Sequence, residues 1–206
     1  MSTPLDFVHE FVPGRSVRTL LLLHGTGGNE SDLIALGREL DPEAGLLSPR
    51  GKVLENGMPR FFRRLAEGVF DEEDLIRRTH ELADFLDEAA AHYHFDRQRL
   101  LAVGYSNGAN IAGALLLLRP GAVCGAALLR PMVPLVPETL PDLKAAPVLV
   151  AAGNQDPIVP AENARQLVAL LRSAGADVTV SFENAGHSLT DSTIETAKRW
   201  LAEKTK

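Results

Sequence analysis

Short apolar runs punctuate the chain at Leu20 to Leu23, Leu100 to Val103, Ala126 to Leu129, Val148 to Ala152 and Val178 to Phe182, with Gly45 to Ser48 as a further candidate strand. Such runs are expected of strands in a mostly parallel sheet covered on both faces. Between them lie segments of helical periodicity. The clearest is Asp71 to Tyr93, where Leu75, Thr79, Leu82, Leu86, Ala89 and Tyr93 recur three or four apart and predict one buried stripe. Asp71 is placed to cap its start, and Glu72, Glu73 and Asp74 set negative charge against the positive end of the helix dipole. A second helix is expected from Ala161 to Ala174, stopped by Gly175 in a left-handed conformation, and a last one turns Ile194, Ala197 and Leu201 inward. Strands alternating with helices in this way predict an α/β protein, with a mostly parallel central sheet, helices on both faces and no large cap domain. No internal repeat, low-complexity tract or linker interrupts the pattern.

Composition narrows this picture. With 206 residues, 45% of them hydrophobic, the chain is sized for one domain with one full core, expected over residues 1–206. A net charge of −6 with interspersed signs offers no basic face for nucleic acid or an anionic membrane. The start MSTPLDFVHE lacks a basic stretch followed by an apolar one, and the longest apolar runs fall far short of the roughly 18 residues of a membrane span. A cytoplasmic location is therefore expected. Cys124, the one cysteine, reads as a small core residue among the apolar neighbours of VCGAALL. Self-association as a homodimer is left open by the sequence.

The candidate chemistry sits in LLAVGYSNGANIAG. Ser106 stands between Gly104 and Gly108 where an apolar strand gives way to a small-residue helix. A serine hydroxyl is a weak nucleophile that must be presented clear of its neighbours and within reach of a base. A tight strand-to-helix elbow presents it, flanking glycines admit the crowded backbone, and the helix start offers the Asn107 amide to a developing oxyanion. In a parallel sheet the partners should come from the carboxyl ends of later strands. PVLVAAG leads into NQDPIVP and Asp156; VTVSFEN leads into AGHSL and His187. Taken singly, Asp156 reads equally as a turn residue before proline and His187 as a surface histidine. Together, in the order Ser, Asp, His, they read as a catalytic triad. The strand LLLL running into HGTGGNES frees backbone amides at its tip, with Thr26 N–H as the second oxyanion donor and His24 fixing the loop through hydrogen bonds. That loop lacks the lysine of a phosphate-binding loop and the spacing of a dinucleotide fingerprint. His9, His80, His92 and His94 have no companion at metal-ligand spacing, the last two being expected on different faces of the long helix.

The combination of LLLHGTGGNESDL, GYSNG, AAGNQDPIVP and NAGHS, in this order over nearly the whole chain, resembles the phospholipase/carboxylesterase family of α/β-hydrolases, the small serine esterases. Within it, SPRGKVLENGMPRFFRRLAEGVFDEEDL resembles the bacterial carboxylesterase branch associated with the hydroquinone-specific hydrolase. The resemblance implies an α/β-hydrolase fold, Ser106 as nucleophile with Asp156 and His187 as partners, and the amides of Thr26 and Asn107 as the oxyanion hole. Many members of the family carry Leu in the loop after the histidine, with a following Gly-Asp. Here Thr26-Gly27-Gly28-Asn29 stands instead, which sets the deacylation of lipidated proteins apart from what the resemblance implies.

The expected reaction is acyl transfer from a small-molecule ester through an acyl-enzyme, needing no metal and no organic cofactor. The run from Arg50 to Phe70 is long for a connection, so Met58, Phe61, Phe62 and Leu65 are candidates for one wall of the substrate pocket, with Met132 and Val133 opposite. A surface helix and loop packed by the same aromatics is the alternative for that run. With no large insertion to form a lid, short-chain or aryl esters are expected. An acyl-thioesterase using the same triad and a hydrolase-fold binding protein without turnover remain the rival readings.

Overall fold

The computed structural model describes residues 5–204. Its elements in chain order are β1 (His9–Val12), β2 (Thr19–Leu23), α1 (Ile34–Leu40), β3 (Gly45–Pro49), β4 (Val53–Glu55), β5 (Met58–Arg60), β6 (Arg64–Ala66), β7 (Val69–Phe70), α2 (Glu72–Tyr93), β8 (Leu100–Tyr105), α3 (Asn107–Leu118), β9 (Gly125–Leu129), β10 (Pro147–Gly153), α4 (Ala161–Ser173), β11 (Asp177–Glu183) and α5 (Asp191–Lys204). Seven strands form one sheet in the order β1-β3-β2-β8-β9-β10-β11. All neighbours pair in parallel except β1, which runs antiparallel to β3 at the edge.

Two cores flank this sheet, and the two-residue period of a strand distributes side chains between them. Leu21 and Leu23 of β2, Leu100 and Ala102 of β8, and Val148 and Val150 of β10 face the larger core, shared with Leu75, Leu82 and Leu86 of α2, Leu115 of α3 and Leu167 of α4. Leu20, Leu22, Leu101, Val103, Leu149 and Ala151 face the other, closed by Leu40 of α1 and by Ala197, Trp200 and Leu201 of α5. Burial on both faces is why these strands read as unbroken apolar runs.

Helix ends follow their local chemistry. Asp71 accepts a hydrogen bond from Asp74 N at 3.0 Å and caps α2, while Gly175, at φ +85°, takes the left-handed turn after α4. His94 departs from the expected helix: it is the left-handed residue that ends α2, at φ +60°. The segment expected to form a pocket wall, or alternatively a surface helix, folds into two small hairpins, β4 with β5 and β6 with β7, and not into a helix. Among the described residues, no helix is long and apolar enough to cross a membrane.

Candidate active site

The chain leaves β2 to form β3 on one side and returns as β8 on the other side of β2. Where strand order reverses, the loops after the two central strands diverge and open a crevice at the carboxyl edge, the usual place for a ligand in such sheets. The loop after β2 carries His24 to Gly28, and the turn after β8 carries Ser106.

Ser106 sits at φ +53°, ψ −114°, an unusual conformation for a residue with a side chain. Its surroundings hold it there. Ser106 N donates to Leu129 O at 2.9 Å, and its own carbonyl accepts from Asn110 N at 3.0 Å. A Cβ at Gly104 would fall 2.4 Å from Gly108 O, and one at Gly108 would fall 1.9 Å from Leu23 O, so both glycines are needed for α3 to start against β2 and β8.

The three residues expected to act together meet at the end of the sheet. His187 Nε2 lies 2.9 Å from Ser106 Oγ, and His187 Nδ1 lies 2.7 Å from Asp156 Oδ2. The other Asp156 oxygen accepts from Ile158 N at 2.8 Å and Val159 N at 2.9 Å, which fixes the carboxylate and leaves Oδ2 for the imidazole. Tyr105 flanks the pair, its hydroxyl donating to His187 O at 3.3 Å. Burial pushes the Tyr105 phenol up, Arg130 opposing and Asp156 assisting, so it remains a donor.

Thr26 N and Asn107 N donate to no protein acceptor among the described residues, and both residues line the crevice with Ser106. The Asn107 side chain is buried: Oδ1 accepts from Phe61 N at 2.8 Å, which orients the amide, while Nδ2 finds no partner. His24, also buried, has Nδ1 2.7 Å from Gly25 O, and its Nε2 accepts from Gly51 N at 3.0 Å. Burial holds its pKa below the ordinary 6.5 against the opposing pull of Gly25 O, Asp32 and Glu30. A neutral ring with both nitrogens engaged is a brace for the loop.

The crevice has a volume of about 350 Å³. Of the residues expected to form its walls, Met132 does so. Phe61 and Phe62 instead turn into the core, 2% and 0% exposed, while Leu65 points outward at 73%. Met58 packs beside Gly27, and Val133 is fixed through its backbone by Asn163 Oδ1 at 2.7 Å. Short, irregular hairpins and the turns between them give no stripe from which the facing of these side chains can be read. The walls are built from Arg60, Arg64, Phe70, Asn110, Ile158 and Val159, among others. Asn110 carries a legible signal, being polar within the mostly apolar NGANIAGALLLL of α3; its Oδ1 accepts from Met132 N at 2.7 Å and positions that wall.

Arg130 supports the site from beneath His187. It follows β9 at φ +57° and is 1% exposed. Its guanidinium donates to Gly186 O and Ser188 O, each at 3.0 Å, and pairs with Glu183, so it grips both sides of His187. A charge directly after a buried strand, as in GAALLR, is the signal that marks it.

The profile of the dienelactone hydrolase family matches residues 62–204. MhqD of Bacillus subtilis (strain 168), a hydrolase by name, is 53% identical over 195 residues, covering 95% of this chain and 98% of that one. The crystal structure of the Bacillus cereus carboxylesterase superposes with a TM-score of 0.95 at 53% identity, over 98% of this chain and 96% of that chain. The carboxylesterase from Mesorhizobium loti gives a TM-score of 0.91 at 34% identity, over 98% and 97% of the two chains. The resemblance carried by the motifs and the family match thus meet at the same kind of enzyme, and the chain belongs to the dienelactone hydrolase family, among the esterases of the α/β-hydrolase fold.

Proposed function

We propose that the chain is a serine carboxylesterase that hydrolyses short-chain or aryl carboxylic esters through Ser106, His187 and Asp156. The observation that carries this reading is the continuous Asp156–His187–Ser106 hydrogen-bond chain, at 2.7 and 2.9 Å, opening on a crevice that holds two unused amide donors. Ser106 Oγ attacks the ester carbonyl carbon as its proton passes to His187 Nε2. Asp156 Oδ2 accepts from Nδ1–H and stabilises the imidazolium. The carbonyl oxygen takes up the electron pair and is met by the amides of Thr26 and Asn107. On collapse, Nε2 returns the proton to the departing alkoxide or phenoxide and leaves an acyl-enzyme. Water, deprotonated by the same nitrogen, releases the carboxylic acid and restores Ser106.

The reading takes residues 1–206 as one hydrolase domain, cytoplasmic, acting on a small molecule without a cofactor. Its test is p-nitrophenyl acetate turnover together with peptide mapping after fluorophosphonate treatment. The wild type is expected to turn over the ester and carry one adduct, on Ser106; Ser106→Ala should lose the adduct and on the order of 10⁶-fold in kcat. An unlabelled Ser106, or turnover that survives Ser106→Ala, would rule the reading out.

A further inference from the structure

Thr26 and Asn107 belong to different connections, one leaving β2 and the other opening α3, and no hydrogen bond joins them among the described residues. What joins them is a third segment, laid across both. Pro59 O accepts from Gly27 N at 2.9 Å, Arg60 Nη1 donates to Thr26 Oγ1 at 2.6 Å, and Phe61 N donates to Asn107 Oδ1 at 2.8 Å. Three consecutive residues therefore hold both sides of the place where a carbonyl oxygen would gather charge.

We propose that Pro59–Phe61 is a clamp that sets the spacing of the two oxyanion donors, with Arg60 as its positioning residue acting through the Thr26 hydroxyl. This rests on the reading that the Thr26 and Asn107 amides form the oxyanion hole. Catalysis by such donors depends on where they stand before the reaction begins, so a segment that fixes their separation controls the rate without touching the substrate carbonyl.

The clamp is itself braced. A Cβ at Gly51 would fall 2.3 Å from Arg60 C and O, so the chain at Gly51 lies directly against the Arg60 backbone. Gly51 N in turn donates to His24 Nε2, two residues before Thr26. The guanidinium is held by Phe62 O and Glu55 Oε2, each 3.2 Å from Nε, which aims Nη1 at Thr26. Arg60 is 3% exposed, and burying a charge is costly unless its geometry is used. A methionine of similar length would fill the same space without that cost, so packing alone does not account for the arginine.

The test separates the hydroxyl contact from charge and from packing. Thr26→Val removes the acceptor and Thr26→Ser keeps it; Arg60→Met removes the guanidinium and keeps the stem. Thr26→Val and Arg60→Met are each expected to lower kcat about tenfold or more, with KM in Thr26→Val changed by less than about threefold, since a displacement near 1 Å can cost roughly 10²-fold. Thr26→Ser should stay within about threefold of wild type. The double variant Arg60→Met/Thr26→Val should be no slower than the slower single variant, because both cut one contact. Affinity for an aryl trifluoromethyl ketone, which presents a tetrahedral oxyanion once bound, should fall with kcat/KM.

Equal kcat in Thr26→Val and Thr26→Ser overturns the clamp, and so do multiplicative effects in the double variant. Thr26 is exposed, so that pair decides the matter even if Arg60→Met fails to fold. Fluorophosphonate labelling of Ser106 in the same samples separates the two levels. Labelled, active wild type with unaffected variants removes the clamp alone, whereas unlabelled, inactive wild type removes the esterase reading and the clamp with it.

Discussion

At Ser106 the backbone stands at φ +53°, ψ −114°, where a non-glycine residue carries about 1–3 kcal/mol of strain. Replacing Ser106 by glycine releases that strain but adds about 0.5–1 kcal/mol of unfolded-state entropy to be lost on folding. The balance predicts a Ser106→Gly variant about 1 kcal/mol more stable than wild type and devoid of esterase activity. Urea unfolding checks this, and a less stable variant would show that the elbow is relaxed. Gly108 has the opposite sign, because a Cβ there meets Leu23 O at 1.9 Å. Gly108→Ala should cost about 3 kcal/mol or more, seen as a lowered denaturation midpoint or loss of soluble protein. His24 adds a pH effect. Its folded pKa lies below the ordinary 6.5, so the unfolded chain binds a proton there before the folded one does. The stability His24 confers is therefore complete above about pH 6.5 and is lost as pH falls below it. His24→Gln should flatten the stability curve between roughly pH 7 and 5, whatever it costs at pH 7; an unchanged slope would mean that the ring charges freely in the fold.

At the scale of elements, what could be read from the sequence depended on the period each element imposes. β2, β8, β9 and β10 are buried enough to appear as apolar runs, β11 shows Val178, Val180 and Phe182 in alternation, and α2 is long enough to show its stripe and its Asp71 cap. The hairpins β4–β5 and β6–β7, of two or three residues per strand, hold too few positions to display any period. β1, with every residue half-buried, shows no contrast between its faces. Ser106, Asp156 and His187 were legible because each follows a strand that was itself legible; Arg60 was not, because the contact that gives it a place comes from Thr26 in the distant loop after β2. The turn bearing His187 illustrates the consequence. Burial raises the pKa of Glu183 at the end of β11, but hydrogen bonds from Thr193, Arg130 and Thr190 outweigh it and leave the carboxyl below its usual 4.5. With a depressed folded pKa, its stabilising effect is present above pH 4.5 and disappears as pH falls through the depressed value. Glu183→Gln should accordingly weaken the acid-induced loss of stability below pH 4.5, and at neutral pH it should lower kcat by loosening the Arg130 grip on Gly186 and Ser188. A variant with wild-type acid sensitivity would show that the carboxyl titrates normally.

For the molecule as a whole, the sheet carries Ser106, Asp156 and His187 at its carboxyl edge, while its insertions shape the crevice beside them. Ser106, Asp156 and His187 stand at the ends of β8, β10 and β11, three strands of one continuous sheet, so their relative positions are as rigid as the core beneath them. The wall opposite comes from hairpins that contribute Arg60, Arg64 and Phe70, and from Met132, Ile158 and Val159 on the loops after β9 and β10. A crevice of about 350 Å³ is near the lower end of small-molecule sites, which run from roughly 300 to 1,000 Å³. Its lining mixes arginines with a few apolar side chains, among them Phe70, Met132, Ile158 and Val159. Each methylene contributes about 0.8 kcal/mol only when it leaves water, so lengthening the acyl group should help until the crevice is filled and then stop helping. Across p-nitrophenyl esters, kcat/KM is expected to rise or hold from acetate to butyrate and to fall by octanoate, with palmitate the poorest. A continued rise to palmitate would mean that the hairpins move aside to expose an apolar surface, and would locate substrate choice in their motion instead of in the shape of the crevice.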